Sequence, residues 1–278
     1  YTTLRIGGPA EVMVNIHSAD EIAVALRAAK QADAPVTIIG NGSNLLVRDG
    51  GIRGLVLRIS GGLNAIRREG DCLLVQAGAS LAAVAAFARD EGLSGMAELG
   101  GIPGTVGGGV LMNAGAYGAE LAQLVTQAEG VSLSDGRRVV YPADRLDFAY
   151  RHSALMDAGV VITQATLALT PGDPEAIRAR MEECAKARRE KQPLTLPSAG
   201  STFKRPEGHF AAKLIDDCGL RGLTVGGAQV SEKHAGFIVN IGGATARDML
   251  ELMRQVEQRV FEQTGVQLEP EVRILGED

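Results

Sequence analysis

At residues 100–118 the chain reads GGIPGTVGGGVLMNAGAYG, and this stretch says more about the fold than any other. Glycine buries no side chain and costs backbone entropy, so core packing does not explain this density. The pattern predicts a main chain that approaches a flat or charged ligand closely and presents bare N–H groups to it. No lysine follows, which excludes the lysine-bearing phosphate loop of nucleotide hydrolases. The spacing also differs from the glycine fingerprint of a Rossmann strand. A purely structural glycine loop is the alternative.

A second glycine-rich turn, Gly40-Asn41-Gly42-Ser43-Asn44-Leu45, follows an apolar stretch at residues 35–39 that predicts a strand. Such a turn can direct several N–H groups at a phosphate, and its serine and asparagines add neutral donors suited to a diphosphate. The alternative is a strand connection that needs only positive φ. Position 45 is leucine where a dinucleotide fingerprint requires glycine, which disfavours a Rossmann fold.

Composition narrows the class of protein. The 278 residues are 45% hydrophobic and 22% charged, with a net charge of −5 and no dense stripe of lysine and arginine, which argues against nucleic acid as a partner. No apolar run approaches the roughly 18 residues of a membrane helix. The cysteines Cys72, Cys184 and Cys218 are odd in number and follow no metal spacing, so we expect reduced, mostly buried thiols, a cytoplasmic location and no metal site.

Local signals predict several elements. Ser18 to Glu21 forms a capping-box pattern before a helix with Ile22, Leu26 and Ala29 on one face. Apolar and polar residues alternate over 11–16, which indicates a strand. The other predicted elements are a helix over 81–90 capped by Ser80, a hairpin at Asp135-Gly136, a helix beginning at Asp173-Pro174, a helix over 245–264 ending at Gly265, and a strand over 266–275. Composition shifts divide the chain into segments 1–53, 54–170 and 171–278, of which the last is typical of a separate α+β domain.

Four short polar stretches are candidates for chemistry. Ser201 lies on an accessible turn with Lys204 close by, but no Gly-x-Ser-x-Gly elbow surrounds it. Its hydroxyl can act as a proton donor, or it can simply cap an element. Glu271 and Arg273 share one face of the expected strand, either as a substrate-polarising pair or as a solvated edge pair. The stretches at 150–153 and 188–191 are ambiguous, and a basic run such as the second is usually a solvated helix face.

Taken together and in order, these segments resemble one family, the UDP-N-acetylenolpyruvoylglucosamine reductases. The resemblance is carried by Thr2–Pro9, Gly40–Leu46, Gly101–Gly118, Tyr150-Arg151, Gly200–Lys204 and Glu271–Gly276, and it spans essentially the whole chain. It implies an α+β protein with a two-domain FAD-binding unit of the vanillyl-alcohol-oxidase type. On this basis segments 1–53 and 54–170 are FAD-binding subdomains, and 171–278 is a substrate-binding domain whose last strand returns to the active site.

The resemblance also implies the reaction. NADPH delivers a hydride to FAD, which reduces the enolpyruvyl ether of UDP-N-acetylglucosamine to UDP-N-acetylmuramate, a step of peptidoglycan synthesis and hence of cell-wall biogenesis. The expected partners are the UDP-sugar substrate and NADPH, with no nucleic acid, no membrane and a monomeric state.

The resemblance assigns roles residue by residue. Ser201 matches the serine that protonates the enol intermediate, and Glu271 and Arg151 match the pair that binds and stabilises it. Lys191, Arg273 and Lys204 match substrate-contacting positions. The cofactor-binding positions that we expect are Gly40, Asn41, Gly42, Ser43, Asn44, Leu45, Gly101, Ile102, Pro103, Gly104, Thr105, Gly107, Gly108, Asn113, Gly115, Ala116 and Tyr117.

Some positions depart from the family pattern. Arg205 stands where longer members have asparagine, His152 stands where aspartate or serine is usual, and Gly109 replaces an alanine. The short separation of Arg151 from Lys191 leaves no room for the tyrosine-bearing insertion of the longer class, so the chain resembles the shorter class. Two other functions remain open, a flavin oxidoreductase for a small alcohol or sugar lactone and a UDP-sugar-binding regulator without flavin.

Overall fold

The computed structural model describes all residues from 1 to 278. The strands are β1 (Ala10–Asn15), β2 (Val36–Ile39), β3 (Leu45–Val47), β4 (Ile52–Arg58), β5 (Ile66–Glu69), β6 (Cys72–Gln76), β7 (Leu93–Ser94), β8 (Gly115–Ala116), β9 (Ala119–Glu120), β10 (Val125–Ser132), β11 (Arg138–Pro142), β12 (Val160–Ala168), β13 (Thr170–Pro171), β14 (Thr224–Val225), β15 (Ala228–Val230), β16 (Ile238–Asn240) and β17 (Arg273–Leu275). The helices are α1 (Ala19–Gln31), α2 (Leu81–Asp90), α3 (Val106–Leu111), α4 (Pro174–Lys191), α5 (Ala211–Asp217) and α6 (Ala246–Thr264). No helix combines the length and the apolar composition needed to cross a membrane.

Contacts along the chain define two compact units. Unit 1 consists of Tyr1–Glu11, Gly42–Arg53 and Arg189–Asp278, and unit 2 consists of Val12–Asn41 and Gly54–Arg188. Each unit has a hydrophobic core of its own. No single cut in the sequence separates the units, because their stretches alternate along the chain. The elements β1, β4 and α4 each span a boundary. The division into segments 1–53, 54–170 and 171–278 stays a prediction.

Unit 2 is built around a five-stranded antiparallel sheet in the order β11-β10-β12-β6-β5. A smaller sheet has the order β1-β4-β2, with β2 and β4 parallel. The predicted hairpin is confirmed, because β10 and β11 pair as far as Val131 and Arg138, and Gly136 in the turn has a φ of 73°. Helices and mainly antiparallel strands are therefore combined in an α+β architecture, as the sequence predicts.

The caps predicted for unit 2 are present. The Ser18 hydroxyl accepts a hydrogen bond from the Glu21 N–H at 3.2 Å, and Ile22, Leu26 and Ala29 are buried. The capping box itself is incomplete, because the Glu21 carboxylate accepts from the His17 N–H at 2.8 Å. The α2 and α4 helices begin as predicted, the first with its Ser80 cap and the second with Pro174 after an Asp173 carboxylate that accepts from two N–H groups.

Unit 1 contains the three-stranded antiparallel sheet β14-β15-β16 and the parallel pair β17-β3. Its longest helix, α6, buries six side chains and ends at Gly265, whose φ is 71°. The N-terminus of α6 receives two side chains from different parts of the chain. Thr245 Oγ1 accepts from the Asp248 N–H at 3.1 Å, and the Asp49 carboxylate accepts from the Ala246 N–H at 2.8 Å.

The strand predicted from the alternation over 11–16 is present as β1, although its Val12 and Val14 are 51% and 37% exposed. Two sequence expectations need correction. The strand expected over 266–275 is only the three residues of β17, so Glu271 precedes it and the same-face argument does not hold within a strand. All three cysteines are free, but only Cys184 is fully buried; burial raises the pKa of its thiol.

Candidate cofactor-binding and active site

The glycine-rich segment of unit 2 is anchored by backbone hydrogen bonds on both sides. The Leu81 N–H at the start of α2 donates to the Gly104 carbonyl at 3.1 Å, and the Gly107 N–H donates to the Ala77 carbonyl just after β6 at 2.8 Å. Thr105, which is only 2% exposed, caps α3 by accepting from the Gly108 N–H at 3.3 Å. The segment is therefore held rigidly at the end of a core strand.

Its inward-facing glycines serve close packing. None of the glycines from 100 to 109 has positive φ, so conformational freedom does not explain them. A Cβ at Gly107 would lie 2.9 Å from the Ala77 Cβ, and one at Gly109 would lie 2.8 Å from the Leu121 Cδ1. These glycines let α3 pack closely against Ala77 and Leu121.

The outward face of the same segment is bare backbone. Gly108 is exposed, and a Cβ there would find only Thr105 Oγ1, at 3.5 Å. Gly101 and Pro103 are exposed as well, whereas Gly104 and Ile102 are partly buried. Packing within the protein does not require glycine at 108, so this face fits a ligand that approaches the main chain closely.

The two glycine-rich stretches meet within unit 2. A Cβ at Gly40 would lie 2.7 Å from Thr105 Oγ1, and the Gly40 carbonyl accepts from Ser60 Oγ at 3.2 Å. Asn41, which follows, is partly buried. The end of β2 therefore lies beside the beginning of the glycine-rich helix α3, although the two are far apart in the sequence.

The rest of the first turn belongs to unit 1. Gly42 has a φ of 64° and is buried against the Tyr1 carbonyl, while Ser43 and Leu45 are partly buried. The Asn44 amide donates to the Glu271 carbonyl at 3.0 Å, and the Asn44 carbonyl accepts from the Arg273 N–H at 2.9 Å. The turn expected to hold a diphosphate is thus joined to the segment that carries Glu271.

Ser201 and Glu271 lie on neighbouring backbone segments of unit 1. The Glu271 N–H donates to the Thr202 carbonyl at 2.8 Å, next to a bridge between Phe203 and Pro270. Thr202 is 1% exposed, and its Oγ1 accepts from the Ile238 N–H at 3.0 Å. Ser201 is exposed, and its hydroxyl makes no hydrogen bond within the chain. The structure therefore gives no support to the alternative that Ser201 only caps a helix or strand.

The cationic candidates of unit 1 differ in their surroundings. Lys204 forms an ion pair with Glu269 at 3.2 Å. Arg273 and Lys191 are exposed, the latter at the last residue of α4. The departing residue Arg205 lies over the Phe210 ring, 4.7 Å from its centre.

Arg151 lies beside the glycine-rich segment of unit 2. It occupies a tight turn with a φ of 54°, a conformation that costs energy for a residue other than glycine. Its Nη2 reaches the Gly115 carbonyl at 3.5 Å, and its guanidinium lies 5.0 Å from the centre of the Tyr150 ring. The Ser153 hydroxyl ties this turn to α3 by donating to the Leu111 carbonyl at 2.8 Å.

Asn113 and the β8–β9 hairpin complete the segment. Asn113 is 1% exposed, and its amide donates to the Ala149 carbonyl while its Oδ1 accepts from the Ala122 N–H. Its polar atoms therefore bind the protein itself, and it positions the turn before Arg151. Ala116 is partly buried in the hairpin, and Tyr117 is 41% exposed with a φ of 52°.

Sequence reasoning missed two residues, Arg188 and Gln192. The run 188–191 is ambiguous from sequence, since a basic run is usually a solvated helix face, and Arg188 departs from that usual case. Arg188 is partly buried against Gly101, and burial lowers its pKa while the Tyr117 phenol opposes the shift. The Gln192 Oε1 is buried without a hydrogen-bond partner. No local pattern marks either residue, because both properties depend on what the tertiary structure places nearby.

Comparison with known proteins gives matches over both parts of the chain. Residues 10–141 match the FAD binding domain family, and residues 192–275 match the family described as UDP-N-acetylenolpyruvoylglucosamine reductase, C-terminal domain. These matches define an FAD-dependent oxidoreductase with an FAD-binding part and a C-terminal part of the reductase family, and the predicted α+β class is confirmed.

Individual relatives cover the whole chain. UDP-N-acetylenolpyruvoylglucosamine reductase of Pediococcus pentosaceus is 49% identical, over 100% of this chain and 92% of the relative. The enzyme of the same name from Agathobacter rectalis is 50% identical, over 100% of this chain and 91% of the relative. The crystal structure of the Thermus caldophilus reductase superimposes with a TM-score of 0.85 at 40% identity, over 99% and 95% of the two chains. The chain belongs to the UDP-N-acetylenolpyruvoylglucosamine reductase family.

Proposed function

We propose that the chain reduces the enolpyruvyl ether of UDP-N-acetylglucosamine to UDP-N-acetylmuramate, a step of peptidoglycan precursor synthesis, with FAD as cofactor and NADPH as hydride donor. The observation that carries the proposal is the backbone hydrogen bond between Glu271 and Thr202, at 2.8 Å. It holds an exposed serine next to a glutamate in a chain that belongs throughout to this reductase family.

The cradle formed by the two glycine-rich stretches would hold FAD. Exposed backbone at Gly101, Pro103 and Gly108 offers close approach to a flat ring, and the turn from Gly40 to Asn44 offers neutral donors to a diphosphate. FAD, when bound, supplies a ring that accepts a hydride from NADPH and passes it to the substrate. The protein supplies geometry and electrostatics.

Ser201 provides the proton. Its hydroxyl is exposed and has no partner within the chain, so it is available to a substrate. After the vinyl CH2 carbon receives the hydride, Ser201 Oγ donates its proton to the adjacent carbon and recovers one from solvent. Because a serine hydroxyl is a weak acid, this transfer requires a strongly basic carbon such as that of an enolate.

Arg151 and Glu271 act on the charge that develops on the substrate. The guanidinium of Arg151 is oriented by the Gly115 carbonyl and the Tyr150 ring, so it is prepared for a carboxylate or enol oxygen. Glu271 hydrogen-bonds to the enol. Lys191, Lys204 and Arg273 provide positive charge for the acidic groups of the UDP-sugar, and Lys204 shares its charge with Glu269.

We further propose that the enzyme works as a cytoplasmic monomer without a metal ion or nucleic acid. Three free cysteines favour a reducing compartment. Cell fractionation tests the cytoplasmic location, and sedimentation of the purified protein tests the monomeric state.

The decisive experiment follows two steps separately under anaerobic conditions: the reduction of FAD by NADPH, and the reoxidation of FAD by the enolpyruvyl substrate. NADPH should bleach the FAD absorbance, and the enolpyruvyl substrate should restore it and appear as UDP-N-acetylmuramate in the mass spectrum. With deuterated NADPH, the product should carry the label at the new methyl carbon. Bleaching without reoxidation by this substrate would favour a different flavin oxidoreductase, and protein that binds no FAD would favour a UDP-sugar-binding regulator.

A further inference from the structure

Arg188 reaches the exposed edge of the glycine-rich segment. It lies in the last turn of α4 and is partly buried. A Cβ at Gly101 would lie 3.4 Å from both Cδ and Nη1 of Arg188, so the arginine side chain borders the space that a side chain at position 101 would occupy. The exposed ring of Tyr117 is the ionisable group that faces it.

The guanidinium has no anion within the protein. Arg180, two turns earlier on the same helix, binds Glu98 at 2.7 Å and Glu183 at 2.6 Å, whereas Arg188 makes no hydrogen bond or ion pair. Burying a charge without a partner is costly, and the cost is recovered only when an opposite charge is present. Burial lowers the pKa of Arg188, but an arginine still remains charged at neutral pH. Its missing partner is therefore expected to be a ligand.

We propose that Arg188 is a cofactor-contacting residue that neutralises the reduced flavin ring and so raises the reduction potential of bound FAD. Hydride from NADPH adds two electrons and one proton to the neutral ring, which gains one negative charge. A fixed cation beside the ring stabilises that state more than the oxidised one. The diphosphate is the less favoured partner, because the turn from Gly40 to Asn44 already supplies donors for it. This inference rests on FAD being the cofactor.

The test compares R188Q with wild-type holoenzyme by redox titration against reference dyes. We expect R188Q to prefer reduced over oxidised FAD at least tenfold less strongly than the wild type does. For a two-electron couple this corresponds to a reduction potential lower by about 30 mV. The dissociation constant of oxidised FAD should change by less than about threefold. R188K keeps the charge and should retain most of the potential. The matched control is K186Q, which removes an exposed charge from the same helix and should leave the potential unchanged.

An R188Q potential equal to that of the wild type would refute the proposal. Equal losses of affinity for oxidised and reduced FAD would assign Arg188 to the diphosphate instead. If R188Q does not retain FAD, R188K decides the question: a potential about 30 mV or more below that of K186Q, although the positive charge is kept, would refute the proposal. Failure of the wild type to bind FAD would refute the proposed function itself.

Discussion

Ser201 is exposed between two residues that fix its backbone. Gly200 has a φ of 77°, which lets the chain turn, and Thr202 is buried and hydrogen-bonded through its N–H, its carbonyl and its hydroxyl. The hydroxyl of Ser201 can therefore be removed without disturbing the anchors on either side. This makes the residue well suited to a test of its chemistry.

We predict that S201A separates the half-reactions. Reduction of FAD by NADPH should proceed at the wild-type rate, because that hydride transfer needs no acid from Ser201. Reoxidation by the enolpyruvyl substrate should slow by about 10²–10⁴-fold, the usual loss when a positioned acid is removed. Stopped-flow absorbance measures both rates, and T195A, an exposed change in the same loop, is the control. Equal slowing of both steps would mean that Ser201 shapes the flavin pocket.

At the scale of elements, α3 has one glycine face for packing and another for a ligand. A Cβ at Gly107 would press against Ala77, whereas one at Gly108 would meet only Thr105 Oγ1, at 3.5 Å. Both have the negative φ of a helix, so alanine at either position is acceptable to the backbone. The two positions therefore distinguish damage to the fold from damage to the cofactor site.

We predict that G108A leaves the apo protein as stable as the wild type, or more stable by up to about 1 kcal/mol, because alanine favours the helix. FAD affinity should fall about tenfold or more, since the new methyl group occupies the face that the cofactor needs. G107A, in contrast, should lower apo stability, because its Cβ would lie 2.9 Å from that of Ala77. Calorimetric titration with FAD and denaturant unfolding measure the two quantities. Unchanged FAD affinity in G108A would place the cofactor elsewhere.

The hydrogen bonds at the N-terminus of α6 indicate how the stability of the fold depends on pH. The Thr245 N–H donates to the Asp248 carboxylate at 2.9 Å and holds its pKa below the usual value. Because the folded-state pKa is depressed, the stability from this contact is present above the ordinary carboxyl pKa of about 3.9 and is lost as the pH falls through the folded value.

We predict that T245A lowers the free energy of unfolding by about 1 kcal/mol, since it removes the cap on the Asp248 N–H. D248N should destabilise the protein at pH 7 and flatten the acid dependence of stability below about pH 4. D217N changes an exposed carboxylate elsewhere in unit 1 and serves as the control. Denaturant unfolding from pH 3 to pH 7 measures these effects, and parallel curves for D248N and the wild type would show that this carboxylate is not linked to folding.

At the scale of the whole molecule, unit 1 is assembled from three stretches of chain. Its core includes Leu4 and Leu46, both 0% exposed, together with side chains from the C-terminal stretch. The strand β17 pairs in parallel with β3, and Asp49 caps α6. The C-terminal stretch therefore depends on residues near the beginning of the chain.

We predict that a fragment of residues 189–278 does not fold alone. It would lose Leu4, Ile6 and Leu46 from its core, at about 1.5–3 kcal/mol for each buried side chain. Together these losses approach the total stability of a typical domain, about 5–15 kcal/mol. The fragment should show no cooperative thermal transition by circular dichroism, whereas the full chain should show one. A cooperative transition with dispersed amide NMR signals would contradict the dependence on the N-terminal stretches.

Local structure and the class of cofactor follow from the sequence alone. Ser80, Thr245, Gly265 and the turn at Asp135-Gly136 act through hydrogen bonds and φ values within a few residues, so their effects can be predicted without any tertiary contact. The density of glycine at 100–118 likewise indicated a close approach to a ligand.

The interactions between residues that are far apart in the sequence become visible only in the folded structure. The position of Glu271 beside Thr202, the internal role of Asn113 and the pairing of β17 with β3 all join segments far apart in the sequence. The burial of Arg188 without a counter-ion could not be predicted from the sequence either. A run of basic residues in a helix looks the same in the sequence whether its side chains face water or a binding site. Desolvation and long-range hydrogen bonds depend on what surrounds a residue after folding, and local sequence does not contain that information.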